Sequence, residues 1–149
     1  MSTQSLNPTF ATGGPGDRVR GDTGLLRLAL RLDAIATGAV GLAALAGCAA
    51  VDGALGLPTA FLAGLGAFLV LYAVGVWRIG GSDTPRRTAV RAVIGLNLVW
   101  FADSVAMAIA GLLDPTDLGT TLIVLQAVAV LGFADVQILG LRKARTSLR

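Results

Sequence analysis

The chain has 149 residues, of which 54% are hydrophobic and only 14% are charged; its net charge is +3 and its mean hydropathy is +0.75. Soluble domains usually carry about 25% charged residues, so this composition excludes an ordinary water-soluble domain. The chain has no His and one Cys. These absences exclude Cys/His zinc sites, bis-His haem and catalysis by a Ser-His-Asp triad or a Cys-His pair.

The chain begins and ends with polar or basic segments. Residues 1–24 are rich in Gly, Pro, Ser and Thr and show no apolar periodicity of the helical kind. Such a segment cannot bury enough apolar surface to offset the loss of chain entropy, so we predict a disordered tail. Residues 143–149 are predicted to form a second, basic tail.

Four apolar stretches divide residues 25–142, and each has about the ~20 residues that cross a hydrocarbon core roughly 30 Å thick. The segments between them, VDGALGLP, RIGGSDTPRR and LDPTDLG, contain the Gly, Pro, Ser and Asp residues of turns. The sequence therefore predicts an all-α fold, a polytopic membrane protein built as a bundle of four transmembrane helices. The predicted helices span about residues 26–50, 54–77, 87–112 and 119–141.

The basic residues predict the orientation of the bundle. All twelve lie in the N-terminal region, near the connection between helices 2 and 3, or at the C-terminal end, whereas the other two connections carry Asp52, Asp114 and Asp117. By the positive-inside rule, both termini are predicted to be cytoplasmic in a multi-pass protein of the cell membrane. Arg31 and Arg91 are placed at this cytoplasmic face. The basic ends follow from the orientation, so the predicted partner is the lipid bilayer and not a nucleic acid.

A weak internal repeat relates the two halves of the chain. A shift of 60 residues aligns Arg27 with Arg87 and Arg31 with Arg91. Both halves would begin on the cytoplasmic side, so the bundle would consist of two parallel-repeat helical hairpins related by an axis along the membrane normal. The alternative is a chance match between Ala-rich helices, and the sequence leaves both open.

Asp103 is predicted to lie near the middle of the third helix, at mid-membrane depth. A charge there costs roughly 2.5–3.5 kcal/mol on insertion scales, so its side chain is expected to face the bundle and to find a partner or carry a proton. Two interpretations are open. In the first, Asp103 binds a proton or an ion, and Asn97 and Gln126 line a path. In the second, Asp103 is a structural residue that holds the third helix against the fourth.

Two further acids, Asp33 and Asp135, lie nearer the cytoplasmic ends of the first and fourth helices. They are predicted to meet Arg31 or Arg91 near the inner surface, because long Arg side chains can bend toward water. The sequence contains no Gly-rich phosphate loop and no spacing typical of a catalytic site. We therefore predict no catalytic residue, no metal and no cofactor.

Two short motifs each allow two interpretations. LAGC at residues 45–48 resembles a bacterial lipobox ending at Cys48, but such matches also arise by chance in helices rich in Ala, Gly and Leu. Pairs of small residues four apart let helix backbones approach closely in lipid, either within the bundle or between chains. These pairs are Ala34/Gly38, Thr37/Gly41 and Ala60/Gly64.

Three longer stretches carry a resemblance to a known group of proteins. They are LRLALRLDAIATGAVGL, LGLPTAFLAGLGAFLVLYAVGVW and LIVLQAVAVLGFADVQILGLRKA. The chain resembles a family of small, uncharacterised four-helix integral membrane proteins of actinobacteria over most of residues 25–145. This resemblance implies four helices and no assigned activity.

These observations favour a small non-enzymatic integral membrane protein, an accessory or scaffolding subunit of a membrane complex. The motives are the lack of catalytic residues, the short connections and the abundance of small residues in the helices. Its partner would be another membrane protein or a second copy of the chain. The alternative is a proton-coupled transporter of a small solute that uses Asp103.

Overall fold

The computed structural model describes residue 19, residues 22–110 and residues 114–146. Within this part of the chain it contains four helices: α1 (Gly24–Leu55), α2 (Thr59–Gly81), α3 (Arg87–Ala110) and α4 (Asp117–Thr146). All four are long and apolar enough to cross a membrane. The prediction of an all-helical chain with four such helices is confirmed.

The helix ends differ from the predicted ones where polar residues resemble turn signals. α1 continues through Asp52 and Gly53 to Leu55, and it ends at Gly56, whose φ of 66° is the left-handed conformation that glycine adopts without strain. α2 begins at Thr59, directly after Pro58. α4 extends to Thr146, well into the predicted basic tail, because Lys and Arg are good helix formers outside a hydrocarbon layer.

The helices alternate in direction and form a bundle that is closed on three sides. α1 packs extensively against α2, α4 packs against both α1 and α3, but α2 and α3 meet at few points. A two-fold axis that relates the two hairpins would map α1 onto α3 and α2 onto α4. The α1–α4 pair would then be equivalent to the α2–α3 pair, and both pairs would pack equally. The contacts are unequal, so the arrangement of the helices does not have the symmetry of the predicted repeat.

The backbones of α1 and α2 approach each other closely. A Cβ atom added at Gly41 would lie 2.9 Å from Leu69 Cβ and 3.0 Å from the carbonyl oxygen of Gly66. A Cβ atom added at Gly66 would lie 2.7 Å from the carbonyl oxygen of Gly41. Side chains larger than hydrogen do not fit at either position, so these glycines set the distance between the two helices.

At one end of the bundle, the acidic end, the two short connections are hydrogen-bonded to each other. The backbone N–H of Thr116 donates to the carbonyl of Leu55 at 3.0 Å. The hydroxyl of Thr116 donates to the carbonyl of Ala54 at 2.7 Å. These bonds tie the beginning of α4 to the end of α1.

At the other end, the basic end, the residues that precede α1 contact the α2–α3 connection and α4. The backbone N–H of the fully buried Val19 donates to the carbonyl of Pro85 at 2.8 Å. Asp22 pairs with Lys143 at 3.0 Å, and the hydrogen bond from this ammonium group lowers the pKa of the carboxyl. Most of the predicted tail at residues 1–24 lies outside the described residues, but Val19 and Asp22 are packed against the bundle and do not belong to a free tail.

The apolar core of the described residues lies in the basic half of the bundle. It includes Leu26, Leu30, Val76, Val90 and Leu141, which come from all four helices. The outer surface is apolar as well: Leu71 is 73% exposed and Ile109 is 82% exposed. An outer surface this apolar suits a lipid environment better than water.

Candidate functional site

Five polar side chains meet inside the bundle and form what we call the polar layer: Asp33, Thr37, Tyr72, Asn97 and Gln137. Asp33 and Thr37 lie on α1, Tyr72 on α2, Asn97 on α3 and Gln137 on α4, so every helix contributes. The side chains of Asp33 and Gln137 are fully buried, and Asn97 is 3% exposed. Buried polar groups are costly unless they are hydrogen-bonded, so their mutual bonds decide whether this core is stable.

The carboxylate of Asp33 is the centre of the polar layer. Its Oδ2 accepts hydrogen bonds from Gln137 Nε2 at 2.8 Å and from Asn97 Nδ2 at 3.0 Å. Its Oδ1 accepts one from the hydroxyl of Thr37 at 3.1 Å, one helical turn further along α1. The hydroxyl of Tyr72 donates to Asn97 Oδ1 at 2.8 Å, which brings α2 into the same network.

The polar layer lies at one depth in the bundle. Asp33, Tyr72, Asn97 and Gln137 are each nine or ten residues from the basic end of their helices. At 1.5 Å per residue this is about 14 Å along each helix axis from its basic end, so the four side chains lie level with one another. For these four side chains to bond to one another, each helix must be rotated so that its residue faces the interior. Each helix must also be at the height that brings that residue level with the others.

The chemistry of the polar layer is that of a hydrogen-bonded junction. All three donors to Asp33 are neutral, and within the described residues no Lys or Arg bonds to it. If Asp33 were protonated, its proton could be donated to the Thr37 hydroxyl, so both protonation states can satisfy their hydrogen bonds. No second carboxylate or amine of the described residues hydrogen-bonds to Asp33 and could pass a proton onward.

Asp33 and Asn97 are therefore placed together, but not as predicted. Asp33 was expected to meet Arg31 or Arg91, whereas its partners are the amides of Asn97 and Gln137. The guanidinium of Arg31 lies over the ring of Trp77, 5.7 Å from its centroid, because Arg31 points out of the bundle and Trp77 lies on the adjacent surface of α2. Arg91 is also exposed.

The expectation that Asp103 faces the interior is wrong. Its side chain is exposed on the outer surface of α3, seven residues before Ala110. The residue of α3 that faces inward at this level is its neighbour Ser104, which is 6% exposed. A step of one residue turns a helix by about 100°, so this arrangement points Asp103 outward.

The other predicted polar residues are also distributed differently. Asp135 is exposed on α4, and Gln126 is half-buried nearer the acidic end. Neither contributes a side-chain hydrogen bond to the polar layer: Asp135 lies on the outer surface, and Gln126 lies at a different depth from Asp33. Asn97 and Gln126 therefore do not line a common path with Asp103.

Tyr72 and Gln137 are the two members of the polar layer that the sequence pattern does not single out, and Thr37 is named only as one of a pair of small residues. Tyr72 follows an apolar run near the inner end of its helix, and Gln137 stands out only because it shares a face with Gln126. The signal that identifies both is depth: counted from the basic ends, these two residues lie level with Asp33 and Asn97. The predicted helix ends do not show this alignment, because at the basic end they differ from the observed ends by up to five residues.

The described residues contain no group of three Cys, Asp or Glu side chains that could hold a metal ion. Comparisons of the chain with protein-family models, curated proteins and solved structures give no match. The resemblance to small actinobacterial membrane proteins therefore stays a prediction. The proposals below rest on the geometry of this chain.

Proposed function

We propose that the protein is a small, non-enzymatic integral membrane protein that acts as an accessory or scaffolding subunit, and that it binds its partner through the outer surface of α3. The observation that carries this proposal is the exposed carboxyl of Asp103. It has no hydrogen bond or ion pair within the described residues. In the proposed orientation, the basic end faces the cytoplasm and the surface of α3 faces lipid.

Asp103 would lie inside the hydrocarbon layer. It is about 10 Å from the end of α3 at Ala110, and the helix, at about 36 Å, is only slightly longer than a hydrocarbon core of about 30 Å. An unpaired acid on a lipid-facing surface is costly, by roughly 2.5–3.5 kcal/mol near the helix centre. A partner that supplies a hydrogen-bond donor or a positive charge removes that cost, and the acid then contributes to binding.

The residues around Asp103 favour contact with another helix. Ala102, Ala106 and Ala110 are all exposed, lie four residues apart and share one side of α3. Small side chains at this spacing let a second helix approach closely enough for a short Asp side chain to reach it. The surface beside Asp103 is therefore suited to a transmembrane helix.

The chemistry at this depth points to a different protein and not to a second copy. In a parallel copy, Asp103 would lie at the same height as the first Asp103. All twelve basic residues of the chain belong to the segments near the basic end. A second copy therefore offers a like charge at this height, whereas a different transmembrane helix with a Lys, Arg or amide side chain there offers the missing donor.

The experiment is affinity purification of the tagged chain from its own cells in mild detergent. We expect the wild-type chain to recover a stoichiometric membrane partner and Asp103→Leu to lose it by about tenfold or more, the effect of removing one charged hydrogen bond. The matched control is Asp114→Asn, which removes an exposed acid at the acidic end. Its φ of 52° is one that Asn tolerates.

Full recovery of the partner with Asp103→Leu would contradict the proposal. So would a recovered partner with no donor side chain in its transmembrane helices. Equal loss with Asp114→Asn would show that the acids of the chain act through net charge and not through the surface of α3.

Proton-coupled transport is the second candidate, and one observation favours it: Asp33 is an acid that is fully buried in the interior of the bundle. Its proton site would be Asp33 and not Asp103. Purified chain in vesicles distinguishes the two functions, with proton uptake under an imposed pH gradient as the measurement. Uptake that Asp33→Asn abolishes, in a variant of normal abundance and fold, would support transport and contradict a purely accessory role.

A further inference from the structure

A shallow cavity, largely open to its surroundings, lies at the basic end between α2 and α3. Its volume is about 300 Å³, and its lining includes Arg78, Ser82, Thr84 and Arg86. Arg, Ser and Thr side chains carry the donors that bind phosphate oxygens in proteins. The next residue along the chain, Arg87, does not line the cavity, and its Nε is buried without a hydrogen-bond partner in the described part of the chain.

Above the cavity, α2 and α3 meet at few points, so the surface between them is open. Ile79 of α2 and Ala89 of α3 line the cavity. Helical spacing places Gly75 of α2 directly above Ile79, and Leu96 of α3 above Ala89. Gly75 is exposed with no atom within 4 Å of an added Cβ, and Leu96 is 50% exposed. We call the open, apolar strip of surface between these two positions the groove.

The groove is closed further up by aromatic side chains. The rings of Phe68 and Trp100 stack across it with centroids 6.0 Å apart, and Phe68 also stacks on Tyr72 at 6.3 Å. Polar donors at the bottom, an apolar channel above them and an aromatic top match the shape of a lipid headgroup and the first part of an acyl chain. In the proposed orientation, the bottom lies at the level of the cytoplasmic headgroups.

We propose that this cavity and groove bind one anionic glycerophospholipid of the cytoplasmic leaflet. Its phosphate is held by Arg78 and Arg86 with the hydroxyls of Ser82 and Thr84, and one acyl chain lies between Gly75 and Leu96. This inference rests on the proposed membrane location and orientation, but it does not depend on a protein partner. The lipid fills the one side of the bundle that the described helices leave open.

The experiment uses the purified full chain in neutral detergent, with bound lipid counted by native mass spectrometry. Phosphatidylglycerol and phosphatidylcholine are titrated in parallel, and inorganic phosphate is added as a competitor. Arg78→Gln with Arg86→Gln should weaken phosphatidylglycerol binding about thirtyfold, since each basic residue near an anionic headgroup contributes about fivefold. The matched control, Arg31→Gln with Arg91→Gln, removes the same charge from the same end and should change binding less than about threefold.

Gly75→Leu tests the acyl-chain part separately. It adds a side chain where the structure has open space and raises helix propensity, so the variant should fold. We expect it to reduce phosphatidylglycerol binding about tenfold. Full lipid binding by Gly75→Leu, with displacement by millimolar phosphate, would overturn the proposal in favour of a soluble phosphate ligand. Equal loss in the two double variants, or equal binding of phosphatidylcholine, would also overturn it.

Discussion

Asp33 is the single residue on which the interior of the bundle depends most. Its fully buried carboxylate accepts three hydrogen bonds that originate on α1, α3 and α4. Leu packing along a helix tolerates small rotations, but these hydrogen bonds need distances near 3 Å and defined angles. Asp33 therefore specifies how the helices are rotated, in addition to any stability that it provides.

We expect Asp33→Ala to lower the free energy of unfolding by about 1–3 kcal/mol. It leaves the buried amide donor of Gln137 without an acceptor, and it leaves Asn97 Nδ2 only its longer bond, 3.5 Å, to Gln137 Oε1. Asp33→Asn keeps the shape and one acceptor oxygen, so its loss should stay below about 1 kcal/mol, in the range of hydrogen bonds between membrane helices. The measurement is reversible unfolding of the purified chain in mixed detergent micelles.

The two variants contradict the network in different ways. An Ala variant as stable as the wild type would mean that the buried amides find other partners. An Asn variant as unstable as the Ala variant would mean that the charge of Asp33, and not its geometry, stabilises the bundle.

For single residues, the sequence predicts which polar side chains are important better than it predicts which of them contact one another. Asp33 and Asn97 are both predicted to matter, because acids and amides are rare in apolar helices. Their contact was not predicted, and Asp103 was wrongly placed inside, because periodicity relates positions on one helix and does not give the rotation of that helix against its neighbours. That rotation depends on packing between residues far apart in the chain, such as Leu30 and Val90.

At the scale of helices, the α1–α2 pair has the most extensive packing in the fold. Small residues that the sequence places four apart lie here: a Cβ at Gly38 would be 3.3 Å from that of Ala73, and Gly41 and Gly66 are in backbone contact. In lipid, the hydrophobic effect does not drive helices together, because lipid tails are as apolar as the side chains. Close van der Waals packing is therefore a main source of helix association.

We expect Gly41→Ala to destabilise the chain by about 1–3 kcal/mol, because the new methyl group would overlap Leu69 and the backbone of α2. The control is Gly64→Ala on α2, which has no atom within 4 Å of the added Cβ. Gly64→Ala should be neutral or stabilising by up to about 1 kcal/mol, since Ala is the better helix former. Thermal unfolding of both variants in the same detergent is the measurement.

Equal stability of Gly41→Ala and the wild type would show that α1 and α2 can move apart at little cost. A destabilised Gly64→Ala variant would place Gly64 at a contact outside the single chain, such as an interface with a partner. Either result would change the account of how the first two helices pack.

The helices themselves are predictable because hydrocarbon thickness fixes their minimum length. Their ends are less so: the predicted helices stop where the apolar run stops, at about residues 50 and 141, but α1 and α4 continue to Leu55 and Thr146. Backbone hydrogen bonding continues past the apolar layer wherever residues such as Asp52 or Lys143 accept a helical conformation. Hydropathy indicates only the part of a helix that suits an apolar layer. It therefore underestimates the length of a helix that continues beyond that layer.

At the scale of the whole molecule, charge separates the two ends of the bundle. Arg27, Arg78 and Arg86 lie at one end, and Asp52, Asp114 and Asp117 at the other. Electrostatic retention of basic loops during insertion would leave the basic end in the cytoplasm. The sequence alone is sufficient for this prediction, since it requires only the order of charges along the chain.

We expect cysteine labelling to report this orientation in intact cells. Starting from Cys48→Ser, which removes the one native thiol, an impermeant maleimide should label Asp117→Cys without lysis. It should label Ser82→Cys only after lysis; both positions are exposed. The opposite pattern would invert the bundle, and labelling of both positions in intact cells would contradict a membrane-spanning arrangement.

The composition of the polar layer has a consequence for synthesis of the protein. α1 and α2 leave the ribosome first, and at that moment the carboxyl of Asp33 has only Thr37 as a partner, because both of its amide donors are on helices not yet made. In the first hairpin alone, the carboxyl of Asp33 therefore lacks two of its three hydrogen-bond donors, and lipid cannot replace them. This hairpin should remain beside the insertion machinery until the second hairpin arrives, and a chain truncated before residue 87 should be removed by quality-control proteases.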